Sequence, residues 1–282
     1  MPQQLTFEAT DRLIRTPDYR IQINEAGTGH PIIMIHGTGP GATGWSNFAP
    51  TMTGLSDRYR CIAVTMPGWG ASSPQDLATG RDQGAAIVQL MDALGIERAA
   101  FVGNSMGGGV GMIMATKHPD RVSHLITMGS GVWGPAVVGP TGMSEGMQAL
   151  FDAYEDPTPA RFKRLVSVMC FDPSFATDEL AAERAAAAAA NPAHLRNWLD
   201  LMRAGRGADG FAEAGRLLPA TRVPTLLVHG RDDRTVHFEL SLRTLALVPR
   251  ARLVLLNQCG HWAQLEHAET FNHLVHDFVS QN

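Results

Sequence analysis

The chain has 282 residues, a formal net charge of −4 and 44% hydrophobic residues, enough for a large core without disulfide or metal support. The mild acidity, with no block of like charge, excludes a nucleic-acid or anionic-membrane footprint. The 29 glycines and 17 prolines are scattered and no run of about 20 apolar residues occurs, which excludes disorder, collagen-like repeats and a transmembrane helix.

The opening stretch MPQQLTFEATDR has no basic region followed by an apolar one, so no signal peptide is expected. Predicted strands then lie at 19–23, 32–35 and 60–64, followed by a helix at 82–94. A strand at 99–102, a helix at 105–117 and a strand at 125–128 come next. The segment 133–218 breaks this alternation. It has helix starts at Thr158, Thr177 and Asn191-Pro192, each a capping residue before a helical pattern, and no convincing strand. It reads as a helical lid (133–218) inserted between two parts of one core, 1–132 and 219–282. Its alanine run 185–190 has the strongest helix propensity in the chain and is expected to pack closely against neighbours. The alternation resumes with a strand at 225–228, a helix at 237–247, a strand at 252–256 and a helix at 263–279. Short, nearly continuous apolar strands alternating with helices predict an α/β fold with a mostly parallel sheet flanked by helices.

Three widely spaced cysteines, Cys61, Cys170 and Cys259, form no CxxC pair. This fits a reducing compartment, and the expected address is the cytoplasm.

Gly103-Asn104-Ser105-Met106-Gly107 matches the G-x-S-x-G nucleophile elbow, between the predicted strand AAFV and a predicted helix. The glycines permit a turn too tight for side chains, and the helix aims its N-terminal N–H groups at charge developing near Ser105. The bland reading is a glycine turn with an incidental serine. A serine nucleophile needs a base and an orienting acid, here in the order serine, acid, histidine.

Among eleven histidines, His261 lies in a loop between a predicted strand and helix, where α/β sites collect residues. His267, His273 and His276 fall in the following helical pattern, and His118 and His194 on other helices. No carboxylate or cysteine set completes a metal site around His273 and His276. The acid comes from Gly230-Arg231-Asp232-Asp233-Arg234, after the strand TLLV. Asp233 is favoured, with Asp232 left to cap the turn or pair with an arginine. For the oxyanion hole, backbone N–H groups are expected from Met106, directly after the nucleophile, and from Thr38 in His36-Gly37-Thr38-Gly39-Pro40-Gly41. A phosphate loop at the latter is excluded, since no G-K-[ST] follows.

At this level the chain resembles the α/β-hydrolases, and more narrowly the meta-cleavage product hydrolases, which cleave a carbon–carbon bond in 2-hydroxy-6-oxo-dienoates. HGTGPGATGWSNF (36–48), GNSMGGG (103–109), GRDDRTV (230–236) and CGHWAQLEHAETFN (259–272) carry the resemblance. The elbow marks only the broad superfamily, whereas the HGxGPGA and GHWxQ strings are more particular.

The resemblance implies Ser105, Asp233 and His261 as a triad, with Thr38 and Met106 at the oxyanion. It places Asn47, Asn104 and Trp262 around the dienoate, and Arg184 against the substrate's acidic end. It implies no cofactor and no metal, a small-molecule dienoate substrate, and a homo-oligomer. Two departures stand out: Thr38 replaces a commoner glycine, and the helix around Arg184 is so rich in alanine that a roomier lid-side pocket is expected. A carboxylesterase using the same triad is the alternative, and a non-catalytic sensor is a third.

Overall fold

The computed structural model describes residues 5–135, 137–207 and 210–281. The first four residues of the stretch read for a signal peptide lie outside the described residues. Eight strands form one sheet: β1 (Asp11–Arg15), β2 (Arg20–Ala26), β3 (Pro31–Ile35), β4 (Arg60–Thr65), β5 (Ala99–Asn104), β6 (Val122–Met128), β7 (Thr225–Gly230) and β8 (Ala251–Leu256). Their spatial order is β1-β2-β4-β3-β5-β6-β7-β8, antiparallel for β1–β2 and β2–β4 and parallel elsewhere. The helices are α1 (Phe7–Thr10), α2 (Gly44–Leu55), α3 (Gln83–Ala93), α4 (Met106–Lys117), α5 (Glu145–Glu155), α6 (Pro159–Met169), α7 (Asp178–Ala189), α8 (Pro192–Arg203), α9 (Phe211–Leu217), α10 (Glu239–Leu247), α11 (Ala263–Glu266) and α12 (Ala268–Ser280). This is the α/β-hydrolase fold.

Side chains alternate across a strand, so the apolar runs feed two cores. Ile33, Ile35, Phe101 and Leu125 pack on one face with Ile87 and Leu90 of α3 and Val110 of α4. Ile32, Met34, Val102 and Ile126 pack on the other with Phe48 of α2 and Phe271 and Val275 of α12. Helices α5 to α9 all fall between β6 and β7 in the chain, and among the described residues that segment contains no strand. The alanine run packs closely. A Cβ at Gly41 would lie 2.6 Å from the Ala188 backbone nitrogen, so the 36–41 loop rests directly on α7.

Four features differ from the expectation. The edge strand β1 reads DRLIR and is largely exposed, so it lacks the apolar signal used for strands. Helix α2 contains Pro50 but is started by a capping box, in which Thr43 and Ser46 exchange side-chain and backbone bonds. Helix α5, capped by Ser144, lies ahead of the first helix start expected in this segment, Thr158. The helix expected at 263–279 is broken at His267 (φ −127°, ψ 46°). There Glu266 turns back to accept the Gly260 and Phe171 N–H groups, at 2.8 and 2.6 Å.

Candidate active site

The parallel strands end together, and their C-terminal loops supply the site. Ser105 follows β5 and caps α4 with φ 52° and ψ −113°, a left-handed conformation rare for a side-chain-bearing residue. The flanking glycines make it possible. A Cβ at Gly103 would lie 2.3 Å from the Gly107 carbonyl, and one at Gly107 would lie 2.0 Å from the Ile35 carbonyl oxygen. Met106 opens α4, and its N–H is among those a helix leaves without an internal acceptor.

Asp233 follows β7 and His261 follows β8. The His261 Nδ1–H donates to Asp233 Oδ2 at 2.7 Å, and the ring lines the cavity beside Ser105. Asp233 Oδ1 accepts the Thr235 and Val236 N–H groups at 2.8 and 2.9 Å. Burial alone would push this carboxyl up. The facing His261 ring and the bonds from His229 and His261 outweigh it and hold Asp233 well below the usual carboxylate range. Asp232 points elsewhere and lies 3.5 Å from the Arg231 guanidinium.

Ser105 and His261 line a narrow cavity of about 30 Å³ with Thr38, Asn47, Asn104, Arg184 and Trp262. Met106 lies on the wall of a second space of about 840 Å³, which shares Thr38, Ser105 and Met147 with the first. Asp233 lines neither and stands behind His261.

Arg184 is buried, with its guanidinium 4.8 Å over the Trp262 ring and Nη2 donating to the Ser46 carbonyl at 3.3 Å. Its Nε has no hydrogen-bond partner, and it forms no ion pair among the described residues. Burial pushes its pKa down, outweighing the opposite pull of the Glu183 carboxylate. It is not a solvated surface arginine. Asn104 donates to the His261 carbonyl at 3.2 Å, and its Oδ1 is buried without a partner. Asn47 donates to the Thr43 carbonyl at 3.1 Å.

Sequence reading missed what holds Thr38. Tyr154 O–H donates to the Thr38 carbonyl at 2.8 Å, and Trp198 Nε1–H donates to its hydroxyl at 2.7 Å. The two rings stack at 3.7 Å. These partners lie more than a hundred residues away, and no local pattern signals them. The roomier pocket expected beside Arg184 is also corrected. The alanines press on the 36–41 loop, and the large space is walled by Met112, Val132, Met202, Phe211, Leu240 and Leu247.

Residues 30–268 match the family described as alpha/beta hydrolase fold, and the chain belongs to that family. It is 38% identical over 285 residues, covering 98% of each chain, to a 2-hydroxy-6-oxononadienedioate/2-hydroxy-6-oxononatrienedioate hydrolase of Cupriavidus pinatubonensis. It is also 38% identical over 266 residues to a 2-hydroxy-6-oxo-6-phenylhexa-2,4-dienoate hydrolase of Burkholderia cepacia, covering 93% of this chain and 92% of the relative. The meta-cleavage product hydrolase CumD of Pseudomonas fluorescens superposes with a TM-score of 0.86 at 32% identity, over 96% of this chain and 98% of the other. Within the α/β-hydrolases, the protein is a hydrolase of the meta-cleavage product group.

Proposed function

We propose that this protein hydrolyses the C5–C6 bond of a 2-hydroxy-6-oxo-hexa-2,4-dienoate, releasing a carboxylic acid and a 2-hydroxydienoate, without metal or cofactor. The carrying observation is Arg184, a buried guanidinium without an anionic partner among the described residues, in the cavity that holds Ser105 and His261. A dienoate carboxylate supplies the missing charge, and the planar fork of arginine suits it. The buried Asn104 Oδ1 can accept the 2-hydroxyl proton, and Asn47 and Trp262 flank the chain. The polar side is narrow, so Met147 and Met169 on its wall must shift to admit a planar substrate.

In this reading the dienol first ketonises, so that the electron pair of the broken bond has a conjugated carbonyl to enter. Ser105 Oγ bonds to C6 as its proton passes to His261 Nε2, and Asp233 stabilises the imidazolium. The Thr38 and Met106 N–H groups hold the oxyanion. As the oxyanion collapses, the C5–C6 pair passes through the conjugated chain to the C2 oxygen, which takes the proton held by His261 to give the 2-hydroxydienoate, and water then cleaves the serine ester with His261 as base.

Helices α5 to α9 act as the lid, dividing the chain into core 1–132, lid 133–218 and core 219–282. The large space takes the 6-substituent. Its only charged lining residue among those described is the exposed Arg216, which favours a bulky uncharged group. No helix among the described residues is long and apolar enough to cross a membrane. The three free, buried cysteines support a cytoplasmic address, and self-association rests on the resemblance alone.

Arg184→Ala tests the function. Removing one partner of a desolvated charge pair costs about 2–5 kcal/mol, roughly 30-fold to several thousandfold in kcat/KM on 2-hydroxy-6-oxo-6-phenylhexa-2,4-dienoate. Turnover of a small uncharged aryl ester should change by less than about threefold. Equal losses would mean a packing role, no loss on the dienoate would remove Arg184 from substrate binding, and a wild type that turns over the ester but not the dienoate would be a carboxylesterase.

A further inference from the structure

The strand that delivers Asp233 carries a second buried histidine that the steps above leave unused. His229 of β7 is fully buried, and its Nε2 lies 3.2 Å from Asp233 Oδ2 and 2.8 Å from the Val236 carbonyl. Both facing atoms are acceptors, so Nε2 carries the hydrogen. On the ring's other side Nδ1 meets the Ser241 hydroxyl at 2.7 Å, and that hydroxyl lies 3.0 Å from the Ser130 carbonyl. Asp233 Oδ2 therefore sits between two imidazoles, His261 at 2.7 Å and His229 at 3.2 Å.

We infer that His229 is a positioning residue, fixing the Asp233 oxygen that orients His261 and limiting the negative charge that this oxygen offers to it. The inference rests on the assignment of Asp233 and His261 as acid and base.

The physical consequence is a tuned base. A carboxylate oxygen with one donor stabilises an imidazolium more strongly than one that already accepts a second hydrogen bond. With His229 in place, Asp233 Oδ2 divides its charge between two donors and is held in the direction that orients His261. Without it, the His261 imidazolium is held more tightly and the acid limb of kcat/KM moves up.

The other ionisable groups packed around the pair have engagements of their own. Glu266 accepts the Gly260 and Phe171 N–H groups, Asp232 lies by Arg231, and Arg184 lies over Trp262. Burial raises the thiols of Cys170 and Cys259. Among the described residues, His229 alone shares the oxygen that faces His261.

Two substitutions separate the contacts. His229→Gln places an amide N–H near the Nε2 position and keeps a donor on Asp233. His229→Asn places its amide near Nδ1, keeps the Ser241 side and loses Asp233. For Asn, kcat on the dienoate should fall about tenfold or more with KM within about twofold. Its acid limb should rise by about half a pH unit or more. Gln should restore kcat to within about threefold and return the limb to its wild-type position. His229→Leu, similar in volume and without a donor, should repeat the Asn result and serves if Asn misfolds by thermal melt.

An unmoved acid limb in Asn and Leu, or equal defects in Asn and Gln, would overturn the inference. Asp233→Asn in the same assays separates the two levels. If it retains wild-type kcat, the acid assignment itself fails. If it is inactive while His229→Leu matches wild type, only the role of His229 fails.

Discussion

At Ser105 the backbone conformation costs about 1–3 kcal/mol, a strain that persists because the Gly103 and Gly107 contacts leave the turn no other path. The two neighbouring aspartates show how one residue of register decides a role. Asp233 accepts two backbone N–H groups on one oxygen and faces two imidazoles with the other, whereas Asp232 lies against Arg231. Asp233→Asn should cut kcat by about 10⁴-fold, because the amide leaves His261 with the wrong tautomer. Asp232→Asn should stay within about threefold, inside a kcal/mol. Steady-state kinetics on the dienoate check both, and reversed phenotypes would move the acid by one position.

At the scale of elements, the loop from β3 to α2 is pinned by a histidine that does no chemistry. His36 is fully buried, its Nδ1–H donates to the Gly37 carbonyl at 2.7 Å, and its Nε2 accepts the Met66 N–H at 3.0 Å. Burial lowers its pKa to about 4. Below its unfolded pKa of about 6.5 the unfolded chain binds a proton that the folded chain refuses, so stability falls as pH drops from about 6.5 to 4. The loss is on the order of 3 kcal/mol. Denaturant unfolding of wild type and His36→Asn across that range checks it, since the variant should lack this component.

Elements whose signal is local were legible in the sequence. The buried strands β5, β6 and β7 read as apolar runs, and the elbow reads as a strand, glycines and a helix within a dozen residues. Strand β1 was not legible because it is an exposed edge, and α2 was hidden by its glycines and Pro50. Thr38 and Arg184 could be named from loop pattern and resemblance. The Tyr154 and Trp198 clasp on Thr38, and the ring of Trp262 beneath Arg184, are contacts between distant segments that no spacing encodes.

For the molecule as a whole, the site is asymmetric about Ser105, with a narrow polar side toward Arg184 and a space of about 840 Å³ beyond the elbow. Substrates should be ranked by the group on C6. A 6-phenyl dienoate should exceed both the 6-methyl and the 6-(2-carboxyethyl) compound in kcat/KM by about tenfold, the scale of a few buried methylenes. Val132→Phe, which narrows the space, should lower the phenyl rate about tenfold and leave the methyl rate within about threefold. A preference for the carboxyethyl compound would assign Arg216 a substrate-binding role instead.

The wall of that space includes Met106, Met112, Met147 and Met202. Thioether walls are soft and accommodating, and they are also open to oxidants. Conversion to sulfoxide would place a strong dipole where an aryl group must lie, while the sheet and the proton-transfer groups stay as they were. Mild peroxide should therefore raise KM for bulky substrates before it lowers the melting temperature, and methionine sulfoxide reductases should reverse the change. Room for a bulky group on C6 and sensitivity to oxidants would then share one cause, the methionines on this wall.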